Sequence, residues 1–361
     1  MKVRAPITVN KLTLDMNVEQ QSERNQSILL RLWTVQSLNL MGCKIQSVSV
    51  SVLLCHQGPV TLSLSDVTLQ MMVECVYEAQ EDELTECFLQ KVGDDLTFCS
   101  LSWKEFHYFL QHGNQQNTVN LRYGNIQVNI REILPFLSRI KFECMSSVFI
   151  LCVIREIYES GSAGFVSGLL SSVENYINLQ CRDLDSVHCD ALRFTLQHCT
   201  AASLNLQWTS IPEEELESIL PLFTHVSHLS CDKSLLQFLA HVRPEEAESL
   251  SGALGEELDL RQTQLDPQVC RGLVLILEYC EGLTELDLSQ CRLTDHSLDL
   301  LLPNLHKVQN IDFSGNNITD AGAQKIHSIV TRSSNIKTVR LFNNRIESRE
   351  IFSTNPRFEI C

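Results

Sequence analysis

The side chains of this sequence with the most chemical potential are charged residues spaced by two. Glu257, Asp259 and Arg261 form one such row, and Glu285, Asp287 and Ser289 a second. Asn310, Asp312 and Ser314 follow, then Thr338, Arg340 and Phe342. Farther upstream the same alternation yields Arg122, Arg139, Lys141 and Glu143. Residues two apart on an extended strand share a face. Such rows can hold charge against another molecule. Reaction chemistry would need a convergent nucleophile and base, or a metal, and the sequence offers neither. None of the fourteen glycines precedes a lysine, so there is no phosphate-cradling Gly-x-x-x-x-Gly-Lys loop. Neither a Gly-x-Ser-x-Gly elbow nor a His-Glu-x-x-His pair occurs. His188-Cys189 and His198-Cys199 recur ten residues apart. A metal would need ligands converging from neighbouring turns. The pairs read instead as a helix with thiols inward and histidines outward. No catalytic residue, metal or cofactor is expected.

The elements that position the charged rows are written as a repeat. Leu283, Leu286, Leu288, Cys291 and Leu293 share their offsets with Val308, Ile311, Phe313, Asn316 and Ile318, and with Ile336, Val339, Leu341, Asn344 and Ile346. Apolar residues fall at offsets 0, 3, 5 and 10, with Asn or Cys at offset 8. This is the leucine-rich-repeat pattern. Offsets 3 and 5 point one side of a short strand inward while the residues between face out. An inward Asn at offset 8 can bond the backbone of its own coil and the adjacent one. Cys there is a small, weakly donating substitute. Thr294-Asp295 and Thr319-Asp320 supply helix N-caps. One strand–turn–helix unit cannot bury its apolar edge alone, but stacked units can. The expected fold is therefore an α/β leucine-rich-repeat solenoid, curved, with parallel strands on the concave face and helices on the convex face.

Traced backward, the inward pairs are Leu12/Leu14, Leu38/Leu40, Leu62/Leu64, Leu96/Phe98, Val119/Leu121, Ile140/Phe142, Ile177/Leu179, Leu204/Leu206 and Leu258/Leu260. The interval from Leu204 to Leu258 is long enough to hide one more coil, with its strand near Val226 to Cys231. Residues 1–253 read as degenerate repeats, and residues 254–361 as regular repeats with a C-terminal cap, in one continuous solenoid. Helices are expected near Pro212 to Phe223, Lys233 to Val242, Pro244 to Leu254, Pro267 to Tyr279, Asp295 to Leu302 and Asp320 to Thr331. Ser146 to Tyr158 and Val187 to His198 are further candidates. Ser160 to Gly168, rich in Gly and Ser, reads as the most flexible stretch.

With 361 residues and 44% apolar content the chain can bury a substantial core. A net charge of −16 argues against nucleic acid or an anionic membrane as the main partner. No apolar run approaches the ~18 residues of a membrane span. The first ten residues lack the apolar core of a signal peptide. The fifteen cysteines, some at inward offsets (Cys43, Cys291), accordingly read as reduced thiols of a cytoplasmic protein.

Leu283-Thr-Glu-Leu-Asp-Leu-Ser-Gln-Cys-Arg-Leu-Thr-Asp and Val308-Gln-Asn-Ile-Asp-Phe-Ser-Gly-Asn-Asn-Ile-Thr-Asp-Ala-Gly-Ala resemble ribonuclease-inhibitor-type repeats. The irregular upstream repeats, such as Ile133-Leu-Pro-Phe-Leu-Ser-Arg-Ile-Lys-Phe142, resemble the C-terminal arrays of NOD-like (NACHT–leucine-rich-repeat) receptors. That resemblance implies a sensing or autoinhibitory arm of an innate immune receptor, signalling through modules this chain lacks. It transfers no catalytic residue.

The partner is then expected to be a protein. Glu257, Asp259, Glu285, Asp287 and Asp312 would form an acidic strip on strands ~4.8 Å apart, and Arg122, Arg139 and Lys141 a basic patch. Arg261, Arg340 and Phe342 complete the candidate surface. A basic partner, or a NACHT module from the same receptor, fits the strip. The alternative is a soluble inhibitor that blocks a basic enzyme.

Overall fold

Parallel strands alternate with helices through the described chain, which in this computed structural model comprises residues 7–13, 33–41, 54, 60–93, 96, 99–112, 117–120, 130–352 and 354–360. Two compact units form, residues 1–145 with 171–174, and residues 146–170 with 175–361.

In the first unit β1 (Ile7–Thr13), β2 (Trp33–Asn39) and β3 (Thr61–Ser63) pair in parallel, with Leu12 opposite Leu38 and Leu38 opposite Leu62, the register the repeat predicts. Helices α1 (Asp66–Ala79), α2 (Asp82–Val92) and α3 (Trp103–His112) follow. Next come β4 (Asn117–Asn120), the short α4 (Ile130–Ile133), a 3-10 helix over Leu134–Arg139 and β5 (Ile140–Cys144). Here one expectation is corrected: Val119 pairs with Phe142, not Ile140, and a bulge follows it. A slip of two residues keeps every side chain on its own face, so apolar alternation cannot detect it. Leu14, Cys43, Phe98, Leu121 and Arg122 lie outside the described residues.

After α5 (Ser147–Ser160) comes α6 (Gly164–Ser172). The latter corrects the expectation of a flexible stretch over 160–168. Val166 and Leu169 are fully buried on its inner face, and that packing outweighs the helix cost of Gly164 and Gly168.

The second unit then runs β6 (Tyr176–Asn178), α7 (Ser186–Gln197), β7 (Ala202–Asn205), α8 (Glu213–Ile219), a 3-10 helix over Leu220–His225 and β8 (Val226–Ser230). It continues with α9 (Leu235–His241), α10 (Pro244–Leu254), β9 (Glu257–Asp259), α11 (Pro267–Tyr279) and β10 (Leu283–Asp287). Last come α12 (Asp295–Leu301), a 3-10 helix over Leu302–Lys307, β11 (Val308–Asp312), α13 (Asp320–Arg332), β12 (Thr338–Arg340) and β13 (Phe358–Glu359). The hidden coil is β8, with Leu204 opposite Leu229. Strands β6–β8 make one parallel sheet and β9–β13 another. Leu258, Leu286, Ile311, Val339 and Phe358 line up in register across the second, all buried. The final two-residue strand was not legible, because the chain from Val339 to Phe358 is shorter than a full coil.

Offset 8 ties the coils together. Asn316 donates to Leu288 O and Phe313 O, each at 2.8 Å, and accepts from Leu293 N at 2.9 Å. Asn344 donates to Phe313 O at 2.9 Å and accepts from Ile318 N at 3.1 Å. The Cys291 thiol donates to Leu260 O at 3.0 Å. Two hydroxyls that the Asn/Cys template does not include act alike: Thr209 donates to Leu179 O and Ser234 to Leu206 O, both at 2.9 Å. In each case one bond reaches the carbonyl at the end of the preceding coil's strand, where ladder bonding stops. A second tie follows the helix caps. Thr294 and Thr319 cap α12 and α13 as expected. Asp295, next in the chain, accepts from Thr319 N at 3.0 Å, and Asp320 accepts from the amides of Glu347 and Ser348 at 2.9 and 3.0 Å.

Two substitutions test this stacking. Leu286→Asp places an unpaired carboxylate in the buried row and is expected to cost several kcal/mol in denaturant unfolding; an unchanged midpoint contradicts the register. Asn316→Ala leaves the Leu288 carbonyl and the Leu293 N–H unbonded, and should lower stability by about 2–3 kcal/mol in the same assay.

Candidate protein-binding surface

The residues between the buried rows form the open face of the β9–β13 sheet. Glu257, Glu285, Asn310 and Thr338 occupy one cross-strand row, and Asp259, Asp287, Asp312, Arg340 and Glu359 the next. Neither row holds a buried residue. Strand pairing thus brings Glu257, Asp259, Glu285, Asp287 and Asp312 together on one surface, with Arg261 and Arg340 among them. Phe342 lies just past β12, partly exposed, and its carbonyl accepts from Gly315 N at 2.7 Å.

The aspartates have a structural task as well as a charge. Asp259, Asp287 and Asp312 each accept from the amide two residues on, Arg261 N at 3.1 Å, Ser289 N at 2.9 Å and Ser314 N at 2.8 Å. This closes the turn that ends each strand. Asn39, Asn178 and Asn205 make the same bond at the ends of β2, β6 and β7. Where this bond is made, a short polar acceptor suffices and negative charge is not needed. Carrying Asp in three successive coils is an additional property of this sheet.

Two arginines interrupt the acidity. Arg261 Nη2 lies 2.6 Å from Asp259 Oδ2, and its Nε is 3.8 Å from Asp287. This hydrogen bond holds the Asp259 carboxyl below the usual carboxylate range. Arg340 Nε lies 3.0 Å from Glu359, and its Nη1 is 3.8 Å from Asp312 and 3.9 Å from Glu285. Glu257 has no cation within ion-pair distance among the described residues. Six carboxylates thus face two guanidinium groups, and the face remains acidic.

Of the expected basic patch, Arg139 and Lys141 are described. Arg139 ends the 3-10 helix before β5, with its guanidinium 6.0 Å from the centre of the Phe136 ring. Lys141, on β5, pairs with Glu174 at 2.5 Å. Arg122 lies outside the described residues. The histidine–cysteine pairs have positions consistent with a helix. His188 closes the N-terminal capping box of α7 with Asp185, the His198 ring bonds Phe194 O at 2.7 Å, and Cys189 and Cys199 are buried. Burial pushes the Cys189 thiol up to about 12 and that of Cys270 to about 11, so neither is a ready nucleophile. Among the described residues no group of three or more His, Cys, Asp or Glu side chains is placed to hold a metal ion. No helix there is long and apolar enough to cross a membrane.

One recurrent position escaped the sequence reading. At offset 7, Cys181, Trp208, Gln262, Gln290, Gly315 and Asn343 all adopt φ between 53° and 70°. Gly315 and Asn343 are the residue types that signal this conformation, whereas Trp208 hides it.

These features define an α/β leucine-rich-repeat array. The Leucine Rich repeat family model matches residues 279–301 and 304–326, the coils of β10 and β11. Among solved structures the chain is similar to an internalin from Listeria monocytogenes, at 11% identity over 92% of this chain and 88% of that one, with a TM-score of 0.42. It is also similar to a chain of the yeast Rad7 and Elc1 complex, at 12% identity over 94% and 85%, with a TM-score of 0.30. No curated protein matches it.

Arg340→Gln removes a cation that faces three carboxylates. Because the guanidinium is partly solvated, stability should fall by less than about 1 kcal/mol. The association rate of a small basic protein should rise and become more salt-dependent, as stopped-flow mixing at two ionic strengths would show. An unchanged rate would mean that Arg340 does not modulate the field of this face.

Proposed function

We propose that this chain is a non-enzymatic protein-interaction module that binds a basic partner on the open face of its β9–β13 sheet. The observation that carries the reading is the in-register row Asp259, Asp287 and Asp312 beside Glu257 and Glu285, where the turn bond alone would accept Asn. Charge-segregated faces of this kind supply steering and selectivity for a protein ligand. The finer assignment is the ligand-sensing or autoinhibitory array of a cytoplasmic NOD-like innate immune receptor, with a NACHT module or an incoming protein as the bound species. Irregular coil intervals upstream of residue 254 support it. The alternative, a soluble ribonuclease-inhibitor-like protein, favours regular coils throughout, and the acidic face is its main support.

The test uses Asp287→Asn with Asp312→Asn. Asn keeps the turn hydrogen bond, so folding should be unchanged. Affinity for a basic protein ligand should fall tenfold or more, measured by titration calorimetry at low salt. Equal affinity of wild type and double variant for every basic ligand tried would reduce the strip to a solubility feature. Tight binding of a pancreatic-type ribonuclease would favour the inhibitor reading. A Gly-Lys-Ser/Thr loop encoded upstream in the same transcript would favour the receptor reading.

A further inference from the structure

The coil from β8 to β9 has nearly the same chain length as the coil from β9 to β10, yet its two strands do not pair. Among the described residues β8 pairs only with β7, and β9 only with β10. The offset-8 ties skip the same step. Thr263 gives its hydroxyl to Leu260 O of its own coil at 2.6 Å, and among the described residues nothing bonds the carbonyl of Cys231. A cavity of about 540 Å³ lies there, walled by His228, Ser230 and Cys231 on one side and Glu256, Glu257 and Asp259 on the other, with Leu235 and Leu254 beneath.

The coil that leaves the gap carries two helices, α9 and α10, where the next coil carries α11 alone, and α10 ends at Gly255 with φ +76°. On the helix side the same coils stay tight: a Cβ on Gly272 of α11 would stand 1.8 Å from Leu239 O, and Gln268 bonds Ala240 O at 2.7 Å. The stack is open on its strand side only.

Both walls are strand edges with free backbone groups. Leu206 N donates to Ser230 O, so the backbone of Ser230 faces β7 and, by alternation, that of Leu229 and Cys231 faces the gap. Leu260 N donates to Asp287 O, so the backbone of Glu257 and Asp259 faces the gap as well. Next in the chain to Gln207, which lines the cavity, Trp208 is 66% exposed, with its amide donating to Asp232 Oδ1 at 3.0 Å. Its φ of 56° is a strained conformation for a bulky residue, and its ring packs no core.

We propose that this cleft receives an extended segment of a partner polypeptide as an inserted parallel strand, with a cationic–apolar–cationic sequence. The inference deepens the protein-binding reading above and rests on it. An inserted strand completes the backbone bonding of both edges. Its central residue, level with Leu229 and Leu258, points to the apolar floor of Leu235 and Leu254. Its neighbours point outward, where Glu257 selects Lys or Arg; the Glu256 carboxylate accepts from Thr284 Oγ1 of β10 at 3.0 Å. Lys233 and Arg261 offset Asp259, so selection falls mainly to Glu257. The Trp208 ring supplies a face for a cation or an apolar side chain beyond the strand.

Hydrogen exchange of the full chain reads this directly. The amides of Leu229, Cys231, Glu257 and Asp259 should exchange fast in the free protein and at least tenfold more slowly with a short peptide centred on Lys-Val-Arg. Peptides centred on Glu-Val-Glu or Lys-Pro-Arg should not protect them. Glu257→Lys should weaken the first peptide tenfold or more, and Trp208→Ala severalfold, with exchange in β10–β12 unchanged. Asp287→Asn with Asp312→Asn should leave the protection intact. Absence of protection under saturating peptide, or equal protection by the proline peptide, overturns the inserted strand. If that double variant loses its basic protein ligand while no cleft amide is ever protected, the open-face reading stands and this one falls.

Discussion

One hydrogen bond recurs from coil to coil, and the rest of the structure depends on it. A side chain at offset 8 turns inward and donates to the carbonyl that ends the strand of the preceding coil. Thr209, Ser234, Cys291, Asn316 and Asn344 all do so. The bond fixes where each strand stops and how far the next coil is displaced, which aligns Leu258, Leu286, Ile311 and Val339. Alignment of the buried row dictates alignment of the row between, so Asp259, Asp287 and Asp312 become neighbours although they lie a full coil apart in the chain. The charged surface is a consequence of the spine.

That dependence separates what the sequence conveyed from what it could not. Helices over Pro244–Leu254 and Pro267–Tyr279 match the expected ranges, because proline starts and a sustained apolar period mark them. The strand near Val226 was legible as an unfilled interval. The hydroxyl ties were not, because Thr209 and Ser234 fall outside the Asn/Cys template while filling the same role. A two-residue slip such as Val119 against Phe142 leaves the pattern of faces unaltered. The helix over Gly164–Ser172 shows buried Val166 and Leu169 prevailing over glycine content.

The candidate surface was legible in position but not in chemistry. Alternation placed Glu257, Glu285 and the three aspartates on the open face. It could not reveal that the aspartates close turns that asparagine closes elsewhere, nor that Arg261 and Arg340 reach back across the strip. The missing strand pair between β8 and β9 was equally hidden, since the repeat spacing is nearly the same across it. Structure and charge meet at that break: the spine lapses there, and Glu257 beside it has no ion-pair partner among the described residues.

Solvent exchange of the side-chain carboxamide protons of Asn316 and Asn344, followed by nuclear magnetic resonance, tests the spine itself. If the coils stack through these bonds, both carboxamides will be protected together with the backbone amides of Leu288 and Phe313. Carboxamides that exchange at the rate of exposed asparagine, while the strands stay protected, would show that the coils are held in register by something else.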